Sequence, residues 1–295
     1  MTTAEPIGAP EPPDLGASAL PEGTYEGTTV FVTGGGTGLG RAIATEYARL
    51  GAAIVVASRK PEHLEQATEA LGDFPGGLLT ATCDIRDPES ITAAFDAATE
   101  RFGLPQVLVN NAAANFPVPA EEMSPNAWRT VVDITLNGTF FCAREFGRRH
   151  ILAGTPGSIV NVGASYAWTG GPGFAHSAAA TAGVKNMVET LAVEWGPYGI
   201  QVNGLVPGLF PHEDMTADIQ GNLKRTNDKD VCQPALRVGR LRELGWAATF
   251  LSSPFARFIS GHTLVVDGAN WQRRTLTNPP VVTVRDQMGK GPFEG

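Results

Sequence analysis

The sequence predicts an α/β protein, a single domain built on a doubly wound, parallel sheet of seven strands. Three observations predict it. From Thr28 onward, apolar runs rich in β-branched residues alternate with helical stretches. Those runs are continuous rather than alternating in polarity, as strands are when helices cover both faces of a sheet. The first run also ends in a glycine-rich turn that opens straight into a helix.

The elements follow in order. Residues 1–25 contain five prolines and almost no large apolar side chain before Tyr25. Such a segment buries too little surface to offset the entropy of ordering, and it reads as a flexible arm or one laid across a neighbour. TTVFVTG is the first strand, and the helix after it carries Leu39, Ile43, Tyr47 and Leu50 on one face. AAIVVASR, LLTATCDI, QVLVNNA, GSIVNVG, IQVNGLVPG and HTLVVDG supply the other six strands. After Gly183, the spacing of Val184, Met187, Val188, Leu191, Ala192 and Trp195 makes one buried helical stripe. Residues 209–235 are polar, follow a strand and exceed an ordinary connection, so they are expected to form a lid over a substrate. Residues 271–295 form an extension reaching over the surface or to another subunit, which leaves 26–270 as the domain proper.

Composition narrows the function. The net charge of -8, from 22 basic and 30 acidic residues, leaves no basic excess for a nucleic-acid backbone. Cys83, Cys142 and Cys232 lie far apart with no partner spacing for zinc or a disulfide framework, so no metal is expected. No apolar run reaches the roughly 18 residues of a membrane span, and the acidic, proline-rich start resembles no signal peptide. A cytoplasmic protein is the expectation.

The turn Thr33-Gly34-Gly35-Gly36-Thr37-Gly38-Leu39-Gly40 is the chemical signal. Glycines permit positive φ and close backbone approach, while free amides at the helix start attract a pyrophosphate. Which dinucleotide it takes is decided at the tip of the second strand, where a carboxylate would hold ribose hydroxyls and a basic group a 2'-phosphate. That tip reads Ala57-Ser58-Arg59-Lys60, with no acid, which favours NADP(H).

With these motifs in place the chain resembles the short-chain dehydrogenase/reductases over about residues 27–270. TGGGTGLG corresponds to that family's TGxxxGxG. Asp84-Ile85 corresponds to its adenine-contacting pair, Asn110-Asn111-Ala112-Ala113 to its NNAG strand and Pro207-Gly208, followed by Leu209, to its turn beside the nicotinamide. The resemblance implies a Rossmann sheet with the cofactor held by Gly34, Thr37, Gly38, Leu39, Ser58, Arg59, Lys60, Asp84, Ile85, Asn111, Ala112, Pro207, Gly208 and Leu209. It also implies a homodimer or homotetramer.

The reactive groups depart from the usual pattern of Ser, Tyr-x-x-x-Lys and Asn. Ser177 falls at the tyrosine position, Thr181 at the lysine and Ala164 at the serine. One branch, the 2,4-dienoyl-CoA reductases, resembles the chain further. It also has that serine and draws its tyrosine from the preceding loop, where Tyr166 stands fifteen residues before Thr181. Asn110 to Phe116, Ser124 to Trp128 and Leu136 to Thr139 add to the likeness. The resemblance implies an NADPH-dependent reductase of an unsaturated acyl-CoA thioester. Tyr166 and Asn137 would hydrogen-bond the thioester oxygen as charge builds there, with Ser177 a secondary polar group.

Thr181 departs even from this branch, since threonine carries no charge to anchor a ribose or depress a phenol pKa. Lys185 is one turn on, about 6 Å along the axis. A replacement role for Lys185, a loss of activity and a chemistry without lysine stay open. Two further functions stay open with them: a short-chain alcohol/ketone or hydroxyacyl-CoA dehydrogenase, and a catalytically silent NADP(H)- or CoA-binding subunit. His176, His212, Glu213 and Asp214 lie near the expected cleft, and Arg237 and Arg240 follow the lid where they could meet phosphates or brace a subunit contact.

Overall fold

The computed structural model describes residues 7–215, 233–272 and 283–291. The predicted lid and the C-terminal extension lie partly outside these: 216–232, 273–282 and 292–295 are not described, nor are residues 1–6 and Cys232.

All seven apolar runs form strands: β1 (Thr29–Thr33), β2 (Ala53–Ser58), β3 (Leu78–Thr82), β4 (Val107–Asn110), β5 (Gly157–Val162), β6 (Ile200–Pro207) and β7 (Thr263–Val266). They make one sheet in the order β3-β2-β1-β4-β5-β6-β7, every pair parallel. The order reverses between β1 and β4, and in such a sheet the crevice for a ligand opens at the carboxyl ends of those two strands.

Helices cover both faces. On one side α1 (Gly38–Arg49), α2 (Pro61–Leu71) and α8 (Leu241–Ser252) bury Ile43, Tyr47, Leu71, Leu244 and Leu251 against Val30, Val32, Ile54 and Val56. On the other, α3 (Pro88–Phe102), α5 (Gly138–Ala153) and α7 (Ala175–Trp195) bury Ile91, Phe95, Phe146, Val188 and Trp195 against Phe31, Val55, Leu108 and Ile159. Strand neighbours therefore feed opposite cores, which is why the runs read as continuously apolar. The stripe of α7 is buried as the spacing predicts, except that Met187 is half-covered. Proline at the first helical positions and a side-chain cap start two of the helices: Asp87 accepts from the Glu89 amide in α3, and Ser124 from the Ala127 amide in α4 (Pro125–Val132).

Residues 7–25 lie along their own chain. Ala9 donates its amide to Ala235 O at 2.8 Å, Arg237 and Arg242 donate to Pro10 O and Pro13 O, and Trp246 Nε1 donates to Ala17 O at 2.9 Å. Glu11 pairs with Arg240 at 2.7 Å. The physical reason is that proline-rich backbone offers carbonyls without competing amides, and the basic start of α8 supplies donors to them. Tyr25 then enters the core, its hydroxyl on Thr249 O at 2.6 Å and its ring edge-on to Tyr47. Both arginines flagged beside the lid, Arg237 and Arg240, are thus committed to Glu243, Glu11 and the arm.

Candidate active site

The turn after β1 and the start of α1 build the floor of the site. Gly34 and Gly38 have φ of +65° and +50°. A Cβ on Gly36 would lie 1.9 Å from His63 O, and one on Gly40 2.3 Å from Gly34 O. Glycine at these positions is therefore enforced both by conformation and by lack of room. Thr33 and Asn111 tie this turn to the end of β4. The Thr33 hydroxyl accepts from the Asn111 and Ala112 amides, both at 3.0 Å, and Asn111 Nδ2 donates back to Thr33 O and Gly34 O.

At the switch point these groups enclose a cleft of about 420 Å³. It brings together ten of the fourteen residues expected to hold a cofactor: Gly34, Thr37, Gly38, Leu39, Ser58, Arg59, Lys60, Ile85, Asn111 and Ala112. Asp84 stands outside this lining, its carboxylate gripped by Arg86 at 2.5 to 3.1 Å and facing Arg59 at 3.9 Å. The Arg86 hydrogen bonds hold that carboxyl below its ordinary range. Pro207, Gly208 and Leu209 are not among the residues lining this cleft; they stand at and just past the end of β6, beside β7. Gly208 donates to Val266 O at 2.9 Å, and Leu209 lines a separate cavity of about 130 Å³ with Phe210 and Arg237.

A dinucleotide fits what is present: glycines that let a ligand approach the backbone at the turn, the start of α1, and basic side chains at the tip of β2. Nine lining residues were not expected as cofactor contacts: Gly40, Ala57, His63, Cys83, Ala113, Asn115, Ile134, His212 and Asp214. His63 enters because the first turn of α2 packs on Gly36, and Cys83, Ile134 and Asn115 enter through the crossovers. Asn115 presents a buried side-chain oxygen without a hydrogen-bond partner among the described residues. Its signal was in the sequence, within the stretch Asn110 to Phe116, but nothing there singled out one amide over another.

The candidate reactive residues lie in the fourth and fifth crossovers. Tyr166 opens a single helical turn, α6 (Tyr166–Thr169), directly after β5, and its ring stacks on Phe174 at 5.4 Å. Burial pushes its phenol above the ordinary range, so it stays protonated. Gly171 allows this placement, since a Cβ there would sit 3.0 Å from the Tyr166 ring. Asn137 lies in a π-turn, Asp133–Asn137, that links α4 to α5, and its Nδ2 donates to Asp133 Oδ1 at 2.9 Å. π-turns recur at functional positions because they rotate one side chain out of helical register.

Ser177 and Thr181 sit one turn apart on α7, both buried. The Thr181 hydroxyl donates to Ser177 O at 2.8 Å, which spends its hydrogen inside the helix. Ala164, Ala167 and Trp168 share a small gap of about 10 Å³ with Thr181 and Lys185, so the Tyr166 turn packs against the place where the family carries lysine. Lys185 is turned to Glu189, with its ammonium 5.9 Å from the Trp168 ring. His176 is buried, accepts from the Ser177 amide at 2.7 Å and meets Phe116 edge-on at 4.8 Å. Beneath the site, Asn110 donates to Asn161 at 3.0 Å, and Asn161 reaches Asn203 O on the next strand at 3.5 Å, cross-linking β4, β5 and β6.

A glycine turn at the switch point and a basic β2 tip define a nucleotide-binding crevice of the Rossmann kind; Tyr166, Asn137, Ser177 and Thr181 are not among the residues that line it. Comparison with known proteins gives the family. Residues 34–269 match the family described as Enoyl-(Acyl carrier protein) reductase. The probable 2,4-dienoyl-CoA reductase of Bacillus subtilis is 38% identical over 83% of this chain and 97% of its own. The peroxisomal 2,4-dienoyl-CoA reductase of Rattus norvegicus is 38% identical, over 84% of each chain. Among solved structures, a short chain dehydrogenase from Bacillus anthracis is 40% identical with a TM-score of 0.75, covering 83% of this chain and 96% of that one. The chain belongs to the short-chain dehydrogenase/reductase family and is an oxidoreductase that uses a nicotinamide cofactor. No described helix is long and apolar enough to cross a membrane.

Proposed function

We propose that the protein is an NADPH-dependent reductase of an unsaturated acyl-CoA thioester, of the 2,4-dienoyl-CoA reductase kind. The observation that carries this reading is Tyr166, delivered by its own turn at the carboxyl end of β5 while Ser177 holds the helix position. Relatives that share the overall sequence are named for that reaction. Ser58, Arg59 and Lys60, gathered in the cleft with the glycine turn, support NADPH over NADH.

When bound, the cofactor supplies hydride to the far end of the conjugated system. The chain's own part is to hold the thioester oxygen while negative charge grows on it. Tyr166, kept protonated by burial, donates one hydrogen bond. Asn137 keeps a second amide hydrogen beyond the one given to Asp133, and Asn115 offers another side-chain amide inside the cleft. Preorganised donors at a developing oxyanion contribute about 3 kcal/mol each to lowering the barrier. Residues 26–270 are the catalytic domain in this reading, with 209–235 as its lid. The enzyme works as a cytoplasmic homodimer or homotetramer.

Turnover of a 2,4-dienoyl-CoA with NADPH tests the assignment. Tyr166→Phe is expected to lower kcat by about a hundredfold while leaving the NADPH Kd unchanged, and Thr181→Lys to raise turnover. Turnover of simple ketones by the unaltered chain would overturn it. One observation favours a second reading, a silent NADP(H)-binding subunit: the Thr181 hydroxyl is consumed within α7 and Lys185 faces Glu189, so no cation stands at the family's lysine position. NADPH binding without turnover, unrestored by Thr181→Lys, selects that reading.

A further inference from the structure

The segment after β6 folds back onto the glycine turn. Asp214 Oδ2 accepts from the Gly38 amide at 2.7 Å and from Arg41 Nη2 at 3.3 Å. His212 lies against the same glycine, so that a Cβ on Gly38 would fall 2.7 Å from its ring. Both residues line the cleft that holds Gly34, Thr37, Arg59 and Lys60.

Gly38 is the first residue of α1, and the preceding Thr37 makes no side-chain cap. Its amide therefore has no acceptor within the helix, and the one it finds comes from a residue 176 positions away. A carboxylate seated on a helix-start amide and a guanidinium is an anionic oxygen in the same chemical setting as a phosphate oxygen. The two cannot share it: one amide hydrogen serves one close acceptor, and two anions at that spacing repel.

We infer that Asp214 is an internal stand-in for the pyrophosphate of the dinucleotide, and that Arg41, freed when Asp214 leaves, becomes a ligand of that phosphate. The inference rests on the dinucleotide reading of the cleft. It makes the chain without cofactor self-occluded at its phosphate site. Cofactor entry expels Asp214 from the Gly38 amide, so nucleotide binding and release of Asp214 are one event. The apparent affinity is the intrinsic affinity multiplied by the fraction of chains in which Asp214 is off the turn.

The test is calorimetric titration of the full chain and its variants with NADPH and with adenosine 2'-monophosphate, which has no pyrophosphate. Asp214→Ala is expected to tighten NADPH binding about tenfold by removing the competitor, with Asp214→Asn giving the same direction and guarding against a folding defect in the first variant. Adenosine 2'-monophosphate should bind the unaltered chain and Asp214→Ala alike. Arg41→Gln should weaken NADPH clearly in the Asp214→Ala background and far less in the unaltered one, where losing the ligand also loosens the latch. Equal NADPH affinity for the unaltered chain and both Asp214 variants, or weaker binding in the variants, would make Asp214 a helix cap only and overturn the inference. So would an equal gain for adenosine 2'-monophosphate. Absence of dinucleotide binding in every form would instead overturn the reading of the cleft itself, and the inference with it.

Discussion

Glu46 shows how a single side chain is set by what surrounds it rather than by its neighbours in sequence. It lies on the buried face of α1, 3% exposed, with Gly245 of α8 pressed against its Cβ, and its Oε1 lacks a hydrogen-bond partner among the described residues. Burial raises its carboxyl above the ordinary value. The folded chain thus binds this proton more tightly than the unfolded one, so Glu46's contribution is most favourable below the unfolded pKa and is lost as pH rises through the raised folded value. Glu46→Gln is accordingly expected to raise the melting temperature at pH 7.5 and to leave it nearly unchanged at pH 4, as thermal denaturation at the two pH values will show. Thr181 makes the same point in the opposite sense: a residue that sequence flags as a missing function becomes, in the fold, a hydroxyl satisfied inside its own helix.

At the scale of elements, the glycine turn and α1 form one unit with α2. Gly36 leaves room for the carbonyl of His63 where a side chain would stand, which brings the start of α2 and the basic tip of β2 to the rim of the same cleft. Gly36→Ala must push two backbone segments apart, because the obstructing atom is a carbonyl oxygen and not a flexible side chain. The expected cost is about 3 kcal/mol of stability, read from the urea midpoint, together with loss of NADPH binding by calorimetry. The π-turn between α4 and α5 is a second such device: one extra residue per turn changes the direction of Asn137, and Gly138 behind it lets the Ile85 side chain pack where a Cβ would lie 2.7 Å from it.

Across the whole molecule the termini return to the domain. The arm lies on α8, while Trp271 stacks on Trp168 at 5.2 Å. Beyond it α9 (Val284–Gln287) brings Arg285 and, just past its end, Lys290 to Glu122 on the turn before α4. The arm contacts are hydrogen bonds and one exposed ion pair, each weak alone. Deleting residues 1–19 leaves Tyr25 in place and is expected to cost about 2 kcal/mol of stability. NADPH affinity should hold, since no residue of 7–25 lines the cleft; urea denaturation and calorimetry on the truncated chain measure both.

The seven strands, their parallel arrangement and the glycine turn were legible in the sequence because each is a local pattern. Continuous apolar runs report burial on both faces, and glycines followed by a helical stripe report a turn that backbone sterics enforce. The stripe of α7 and the basic tip Ser58-Arg59-Lys60 were legible for the same reason. Only tertiary structure decided which polar groups meet. Asp214 reaches Gly38 across 176 residues, Asn115 and His63 join the lining of the cleft, and the arm binds its own α8. Such contacts depend on the order of strands in the sheet and the length of the crossovers, which fix distances between residues far apart in the chain. A residue type and its local spacing carry no record of them.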